Sequence, residues 1–290
     1  MTEHTIRDPM AWTISQVEHV AHGIGTIGPA LHHVGEMAHS PAPAVRRITT
    51  HDLIDAMRSG FADMEAYRSD VFFLIFVYPI VVAILASAVM GAYLLPLLFP
   101  LASGFAIIGP AFAVGLYEMS RRREENLDTN WLNGPAVLQR PAIGSIAILA
   151  IGLALLFLVW IFAAWQIYLA TMGPDLPTSY DTFVRDLFGT TAGLEMIVVG
   201  VVVGFLFALL AMTMSVVAFP MMVDRDCGLD TAVTTSFRAV MANPGPIALW
   251  GLMVTAGLIL GAIPLFIGLI VVLPALGHAT WHLYRRLVKD

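Results

Sequence analysis

Charged residues are scarce in this chain. Only 12% of its 290 residues are Asp, Glu, Lys or Arg, about half the share found in an ordinary soluble domain. The few charges sum to a net −6, so no overall positive field draws the chain to nucleic acid. This composition excludes a soluble enzyme, a disordered chain and a nucleic-acid-binding protein.

Cysteine is almost absent as well, since Cys227 is the single one. One thiol cannot form an intramolecular disulfide, so a disulfide-stabilised scaffold is also excluded. The chain instead has hydrophobic residues, which make up 58% of it and fall in long uninterrupted blocks. Such blocks are typical of membrane-spanning segments.

The apolar blocks predict six membrane spans. A helix rises about 1.5 Å per residue, so crossing a hydrocarbon core of about 30 Å takes roughly 20 apolar residues. Helices are expected because backbone polar groups in lipid must pair within their own segment. The predicted spans are residues 71–95, 97–119, 143–171, 193–220, 246–262 and 265–284. The sequence thus predicts an all-α polytopic membrane protein with six transmembrane helices in three hairpins.

The basic residues predict the orientation of these spans. Of the 15 Lys and Arg residues, only Arg185 falls on the side that carries the link between the third and fourth spans. All the others precede the first span, follow the sixth, or lie in the other long links. Because Lys and Arg accumulate on the cytoplasmic side, both termini are expected in the cytoplasm.

Amphipathic segments precede the spans on that side. Thr49 and Asp52 have the spacing of a capping box, and Leu53, Met57, Phe61 and Met64 then follow at helical intervals. A second segment begins at Asp230, aligns Val233, Phe237 and Val240, and ends at Asn243-Pro244-Gly245; a weaker third covers residues 127–138. We expect these helices to lie in the membrane interface or beneath the bundle, or to form simple elbows into the next span.

The one long outer loop, residues 172–192, is also expected to hold a short helix. Thr178 and Asp181 have capping-box spacing, and Phe183, Leu187 and Phe188 would form its apolar side. The other two outer links contain no charged residue and predict tight hairpins.

Two segments of the chain resemble each other. Residues 100–122 align without gaps with residues 264–286. The identical pairs include Pro100 with Pro264, Gly104 with Gly268, Pro110 with Pro274 and two consecutive arginines. Both segments are second arms of hairpins that run in the same direction, which favours a parallel duplication. Pro110 and Pro274 are each expected to kink a helix, and the paired kinks either form a cavity or gate or simply shape the bundle.

Ionisable residues are missing from the middle of every predicted span. Glu118 and Glu195 fall at span ends, where water is expected to reach them, and Gln166 and Thr213 are the deepest polar residues. Because intramembrane charges mark ion pathways and proton relays, their absence argues against a pump or a proton relay. We assign no catalytic, cofactor-binding or metal-binding residue and expect no cofactor.

The histidines are the remaining candidates for chemistry. His278 and His282 lie one helical turn apart, so they either contribute to a metal site or form an interfacial belt with Trp281 and Tyr284. His278 is the only histidine deep enough to be considered as a haem ligand. Residues 1–45 are predicted to be a His-rich cytoplasmic arm, and residues 46–290 the transmembrane domain. A metal-binding or pH-sensing role for the arm is the alternative to a simple arm. The histidines of the first 51 residues are His4, His19, His22, His32, His33, His39 and His51.

Several motifs resemble those of a bacterial integral-membrane family catalogued as domain of unknown function 2189. They are Arg46-Arg47-Ile48 with Asp52, Gly109-Pro110-Ala111 with Tyr117-Glu118 and the arginine run, and Pro274-Ala275 with the ending Tyr284-Arg285-Arg286-Leu287. The resemblance covers residues 46–290 and implies a bacterial inner-membrane protein with no established activity. Some members are labelled as cytochrome c oxidase, but a haem–copper core needs about six deep histidines, which this chain lacks.

These observations favour a non-enzymatic membrane protein that acts as an accessory, assembly or scaffold subunit of a larger complex, with a respiratory complex as one candidate. Its expected partners are membrane lipids and other membrane-protein subunits. The alternative is a transporter or channel for a hydrophobic or uncharged small molecule, indicated by the paired proline kinks. A lipid-modifying enzyme is disfavoured because no catalytic group set is visible.

Overall fold

The computed structural model describes residues 42–69, 79, 92–127, 136–264 and 266–289. In this part of the chain the regular elements are helices. After α1 (Thr50–Tyr67), a 3-10 segment (Ala92–Leu97) leads into α2 (Leu98–Phe112) and α3 (Val114–Glu124). The remaining helices are α4 (Ile143–Thr171), α5 (Tyr180–Gly189), α6 (Thr191–Ser215), α7 (Ala218–Arg225), α8 (Leu229–Ala242), α9 (Pro244–Ala262) and α10 (Leu269–Leu287).

Three stretches are long and apolar enough to cross a membrane: Ile143–Thr171, Thr191–Arg225 and Pro244–Ala262. They coincide with the third, fourth and fifth predicted spans. A bent pair, Leu94–Gly104 and Ala106–Phe112, is a fourth candidate with a 46° bend. The first predicted span, residues 71–95, falls largely outside the described residues, and the six-span arrangement stays a prediction.

The sixth predicted span corresponds to α10, which differs from the other spans in composition. Its second half carries His278, His282, Arg285 and Arg286, and most of its side chains there are buried against other helices. Pro274 lies inside α10, whereas Pro110 lies near the end of α2, where the helix breaks before α3. The two proline-containing helices of the proposed duplication are therefore not equivalent in shape.

Helix α10 joins α1, α3, α7 and α8 in a compact cluster, which we call the polar end of the bundle. Its core contains large side chains such as Phe219, Trp281 and Tyr284, all fully buried. The segment before α1 is tied to the end of α10: Val45 and Val288 form an antiparallel bridge, and Arg46 N donates to Leu287 O at 2.7 Å.

A buried asparagine adds a second tie at the polar end. Asn243, between α8 and α9, accepts a hydrogen bond from Ile48 N at 2.8 Å and donates to Arg46 O at 2.9 Å. Because backbone groups buried without partners are costly, this side chain fixes the path of the segment that leads into α1.

The buried face of α1 differs from the predicted one. The capping box of Thr49 and Asp52 is confirmed. Of the predicted apolar face, Leu53 and Met64 are buried, Met57 is partly buried and Phe61 is exposed, while Gly60 and Asp63 are also buried. A Cβ atom at Gly60 would lie 2.5 Å from Ala279 N of α10. At Gly60 the two backbones approach so closely that no side chain fits between them.

Helix α8 shows the same pattern. Its predicted limits are confirmed, but Phe237 is exposed, and the buried residues are Thr231, Ala232, Thr235, Ser236 and Ala239. Ser236 Oγ accepts from Val217 N at 3.2 Å and donates to Thr213 O at 2.7 Å. A hydroxyl is needed here because the turn between α6 and α7 leaves backbone groups without helical partners.

The outer-loop helix is confirmed as α5, with Ser179 and not Thr178 as its cap, since Ser179 Oγ accepts from Thr182 N at 3.2 Å. Phe183 is buried on its apolar side, whereas Phe188 is exposed. The third amphipathic segment, residues 127–138, lies mostly outside the described residues.

The close contact between α1 and α10 generates a prediction. Gly60→Val should destabilise the protein by about 1–3 kcal/mol, because the added side chain must push the two helices apart. Thermal unfolding in detergent measures this. Gly152→Ala is the matched control, since a Cβ at Gly152 meets nothing within 4 Å. Equal unfolding temperatures for Gly60→Val and the wild type would contradict the packing described here.

Candidate functional site

A chain of polar side chains is buried where α1, α3 and α10 meet. Asp63 comes from α1, Ser120 from α3, and His278 and His282 from α10. Exposed fractions are 4% for Asp63 and 0% for both Ser120 and His278. Each of the three helices thus turns at least one polar side chain toward the same point.

Ser120 is the centre of the chain. Its Oγ lies 2.5 Å from Asp63 Oδ2 and 2.8 Å from His278 Nδ1. A serine hydroxyl has one proton to donate. An ionised Asp63 can only accept, so Ser120 donates to Asp63 and accepts from His278 Nδ1–H. His278 Nε2 is then the acceptor for the Ser69 hydroxyl, 3.1 Å away, and this pattern assigns the histidine tautomer.

Asp63 receives further donors that hold it ionised. Arg123 NH1 donates to Oδ1 at 2.7 Å, and His282 Nε2 lies 2.9 Å from Oδ2. Burial alone raises the pKa of Asp63, but the hydrogen bonds from His282 and Ser120 and the nearby positive charge lower it, and the net shift is downward. The carboxylate is thus a common acceptor for donors from α3 and α10.

The chain continues from His282 toward solvent. His282 Nδ1 lies 3.7 Å from Glu124 Oε1, and Glu124 Oε2 lies 3.2 Å from Arg285 Nε. Arg285 in turn is 3.3 Å from Asp224 Oδ2 on α7, which also accepts the Tyr284 hydroxyl. The buried groups are therefore connected to partly exposed ones through contacts that cross from helix to helix.

The aromatic ring of Tyr67 closes one side of His278. The two rings stack with centroids 6.0 Å apart and an interplanar angle of 9°. The Tyr67 hydroxyl donates to Met119 O at 2.6 Å, and burial raises the pKa of Tyr67 to about 12. Tyr67 therefore stays protonated at neutral pH and acts as a neutral cover over the histidine.

A second buried carboxylate, Glu118 on α3, lies in a cage of arginines. Arg121 donates to both of its oxygens, at 2.9 and 2.8 Å, and Arg140 NH2 donates at 3.2 Å. The prediction that water reaches Glu118 is wrong, because its exposed fraction is 2%. Arginines of its own helix and of the link after it fold over the carboxylate and replace water. Glu195 is exposed as predicted.

The two histidines do not converge on a common ligand position. His278 contacts two serines, whereas His282 contacts carboxylates. Within the described residues, no group of three or more His, Cys, Asp or Glu side chains is arranged to hold a metal ion. Of the histidines near the start of the chain, only His51 is described; it pairs with Asp55 at 3.2 Å on an exposed face, and the others lie outside the described residues.

Neither Asp63 nor Ser120 was predicted from the sequence as a site residue. The position of Asp63 could have indicated its burial. It lies at helical spacing from Ala56, Gly60 and Tyr67, on the buried face of α1. A charged residue aligned with small buried residues requires a partner, and α10 supplies it. Ser120, between apolar and basic residues, carried no comparable signal.

The lowered pKa of Asp63 gives a prediction about acid stability. A carboxylate whose folded-state pKa lies below its unfolded value of about 3.9 stabilises the fold above that value, and the contribution is lost as pH falls through the folded pKa. Asp63→Asn should lower stability by about 1–3 kcal/mol at neutral pH, because buried donors lose their acceptor. It should also flatten the fall in unfolding temperature below about pH 4.

Thermal unfolding across this pH range tests the prediction. Asp52, whose pKa is lowered by the Thr49 backbone hydrogen bond, keeps part of the acid dependence in the variant. Glu65→Gln on the exposed face of α1 is the control and should match the wild type. An Asp63→Asn profile that parallels the wild type would contradict the assignment of Asp63 as an ionised acceptor.

Comparison with known protein families finds a match to part of this chain. Residues 98–224, from α2 into α7, match the model of a family described as "Predicted integral membrane protein (DUF2189)". The match is shorter than the expected 46–290: it includes Ser120, Arg123 and Glu124 but excludes Asp63, His278 and His282. No curated protein and no solved structure matches the chain. The resemblance indicated by the sequence motifs is thus confirmed for residues 98–224, which match the DUF2189 family of integral membrane proteins.

Proposed function

We propose that the protein is a non-enzymatic accessory or scaffold subunit of a larger membrane complex. The observation that supports this role is the outer surface of α4 and α6. Both helices turn large apolar side chains outward at helical intervals, Ile151, Leu155, Leu158 and Phe162 on α4 and Val198, Val202, Phe205 and Leu209 on α6. Lipid or other membrane helices would cover these surfaces.

Small residues interrupt both outer surfaces. A Cβ atom at Gly152 of α4 or at Gly200 of α6 would meet nothing within 4 Å. Transmembrane helices associate through small residues that allow backbones to approach closely. A glycine with open space at its Cβ position among the described residues is therefore a natural contact point for a helix of another subunit.

The polar end supports the same role. Its buried carboxylates are paired within the protein, Asp63 with donors from α3 and α10 and Glu118 with arginines. Such a network fixes the relative positions of helices that are far apart in sequence. A rigid polar end, joined to helices with apolar outer surfaces, suits a subunit that holds other subunits in place.

The arrangement in the membrane is part of the proposal. The polar end gathers the arginines of α3 and α10, and basic residues favour the cytoplasmic side. We place this end in the cytoplasm of a bacterium, with six spans through the inner membrane and both termini inside. Lipids and other membrane-protein subunits are the proposed partners.

Purification of the endogenous protein in mild detergent, followed by mass spectrometry, tests the scaffold role. The expected result is stoichiometric recovery of other membrane subunits with the wild type and a reduced recovery with Gly152→Leu or Gly200→Leu. Gly189→Leu is the control, because Gly189 also has open space at its Cβ position but lies in the outer-loop helix. Purification of the wild-type protein without any other subunit would contradict the scaffold role.

A second candidate is a transporter or channel for a hydrophobic or uncharged solute. It is favoured by contact between the two proline-containing segments: a Cβ at Gly277 would lie 3.4 Å from Ala113 Cβ and 2.4 Å from Leu116 Cδ1. Ala113 and Gly277 are equivalent positions in the proposed duplication. Contact between equivalent positions beside the two prolines is a geometry that suits the hinge of a gate.

Solute flux into proteoliposomes tests this candidate. If the kinks form a gate, Pro110→Ala and Pro274→Ala should each change the flux of apolar solutes severalfold, because each restores a helical hydrogen bond. Gly152→Ala is the control and should leave the flux unchanged. Flux through wild-type vesicles no greater than through protein-free vesicles excludes a transport role for the solutes assayed.

A further inference from the structure

Hydrogen bonds connect the buried polar groups from His282 to the enclosed Ser69, and an ion-pair contact extends this chain from His282 to the partly exposed Glu124. At one end Glu124 is about one-third exposed, with 34% of its side chain accessible. At the other end Ser69 is 1% exposed and lies immediately before the first predicted span. The order is Glu124, His282, Asp63, Ser120, His278, Ser69, with successive separations of 3.7, 2.9, 2.5, 2.8 and 3.1 Å.

Every member of this chain can both release and accept a proton. An imidazole can take a proton on one nitrogen and release one from the other, a hydroxyl donates and accepts at the same oxygen, and a carboxyl changes between charged and neutral forms. The expectation against a proton relay rested on the lack of Asp, Glu, Lys and Arg at the middle of the predicted spans. Asp63 and Ser69 lie before the first predicted span, and Ser120 and Glu124 lie after the second. His278 and His282 lie near the end of the sixth.

We propose that this chain is a proton path that connects the solvent at the polar end of the bundle with Ser69. The path is formed by α1, α3 and α10 together, so it exists only in the folded protein. It goes beyond the scaffold role and does not depend on any partner subunit.

The hydrogen-bond directions define the first movement. Ser69 passes its hydroxyl proton to His278 Nε2 as it takes another from a hydronium ion, which leaves as water. The Nδ1 proton of His278 moves to Ser120 Oγ, and the Ser120 hydroxyl proton moves to Asp63 Oδ2. One proton has entered at Ser69 and one has arrived on Asp63, while Ser69, Ser120 and His278 each carry as many protons as before.

The second movement carries the proton to solvent. In the resting state His282 donates its Nε2 proton to Asp63, so the ring must first change to the tautomer that carries its proton on Nδ1. The Asp63 proton then moves to Nε2, and the Nδ1 proton leaves to the Glu124 carboxylate, which returns His282 to its resting tautomer. Asp63 is ionised again, and Glu124 releases its proton to water. All steps are reversible, so the same groups carry protons in either direction.

The charged groups around the path keep Asp63 ionised in the resting state. Arg123 of α3 lies against Asp63, and Asp63, His282 and Arg123 are the charged groups that act on His278. Helix α7 contributes Asp224 through Arg285 at the exposed end, and α9 carries no charged residue. Asp63 therefore rests in its ionised form and is ready to receive a proton.

Deuterium exchange at the ring of His278 tests the path. The full-length chain, ¹⁵N-labelled at histidine and held in lipid nanodiscs, is transferred into D2O and followed by NMR. Because His278 is fully buried, rapid exchange of its ring proton requires a route through its neighbours. Ser120→Ala removes the hydroxyl link and should slow that exchange at least tenfold, whereas Ser120→Thr, which keeps a hydroxyl, should restore it.

Two further variants keep the test decisive. Ser145→Ala is the control, because the Ser145 hydroxyl is buried, has no hydrogen-bond partner among the described residues and lies outside the path. His278 of this variant should exchange like that of the wild type. His282→Gln interrupts the path near its solvent end and should slow exchange even if Ser120→Ala fails to fold. Equal rates in the wild type and both chain variants, or faster exchange in a variant that remains folded, would overturn the proposal.

Discussion

A carboxylate that leaves water must find donors inside the protein, and Asp63 finds them on two neighbouring helices. Arg123 and Ser120 reach it from α3, and His282 reaches it from α10. Burial of the charge would otherwise oppose folding strongly. The position of α1 against α10, the depth of Ser120 and the tautomer of His278 all follow from the need to satisfy this one group.

Close packing and the polar network depend on each other. Gly60 lets α1 approach α10 until their backbones nearly touch, and only at that separation can Asp63 reach His282. The hydrogen bonds in turn hold the two helices at a distance that larger side chains would increase. Glu118 and its arginines form a second network on the far side of α3, so that this short helix is fixed from both directions.

The apolar spans could be predicted from sequence because membrane thickness sets their length directly. Residues 143–171 and the starts of α5 and α8 are close to expectation for that reason and because caps and breakers mark helix ends. The polar cluster was not predicted, since its members come from three segments that are far apart in the chain. Phe61 and Phe237 were predicted on the apolar faces of α1 and α8, but both are exposed. Hydrophobic spacing identifies an apolar stripe on a helix, whereas the separation of the backbones decides which side of the helix faces the core.

The bridge between Val45 and Val288 has a consequence for biosynthesis. It joins a segment that precedes α1 to one that follows α10, so it can form only after the residues up to Val288 have left the ribosome. Closing so long a loop adds little entropic penalty beyond that of a moderate one, because the penalty grows with the logarithm of loop length. Until then α1 lacks its main packing partner, and the segment before it has no strand to pair with. Folding of α10 is therefore the event that fixes the position of the segment before α1.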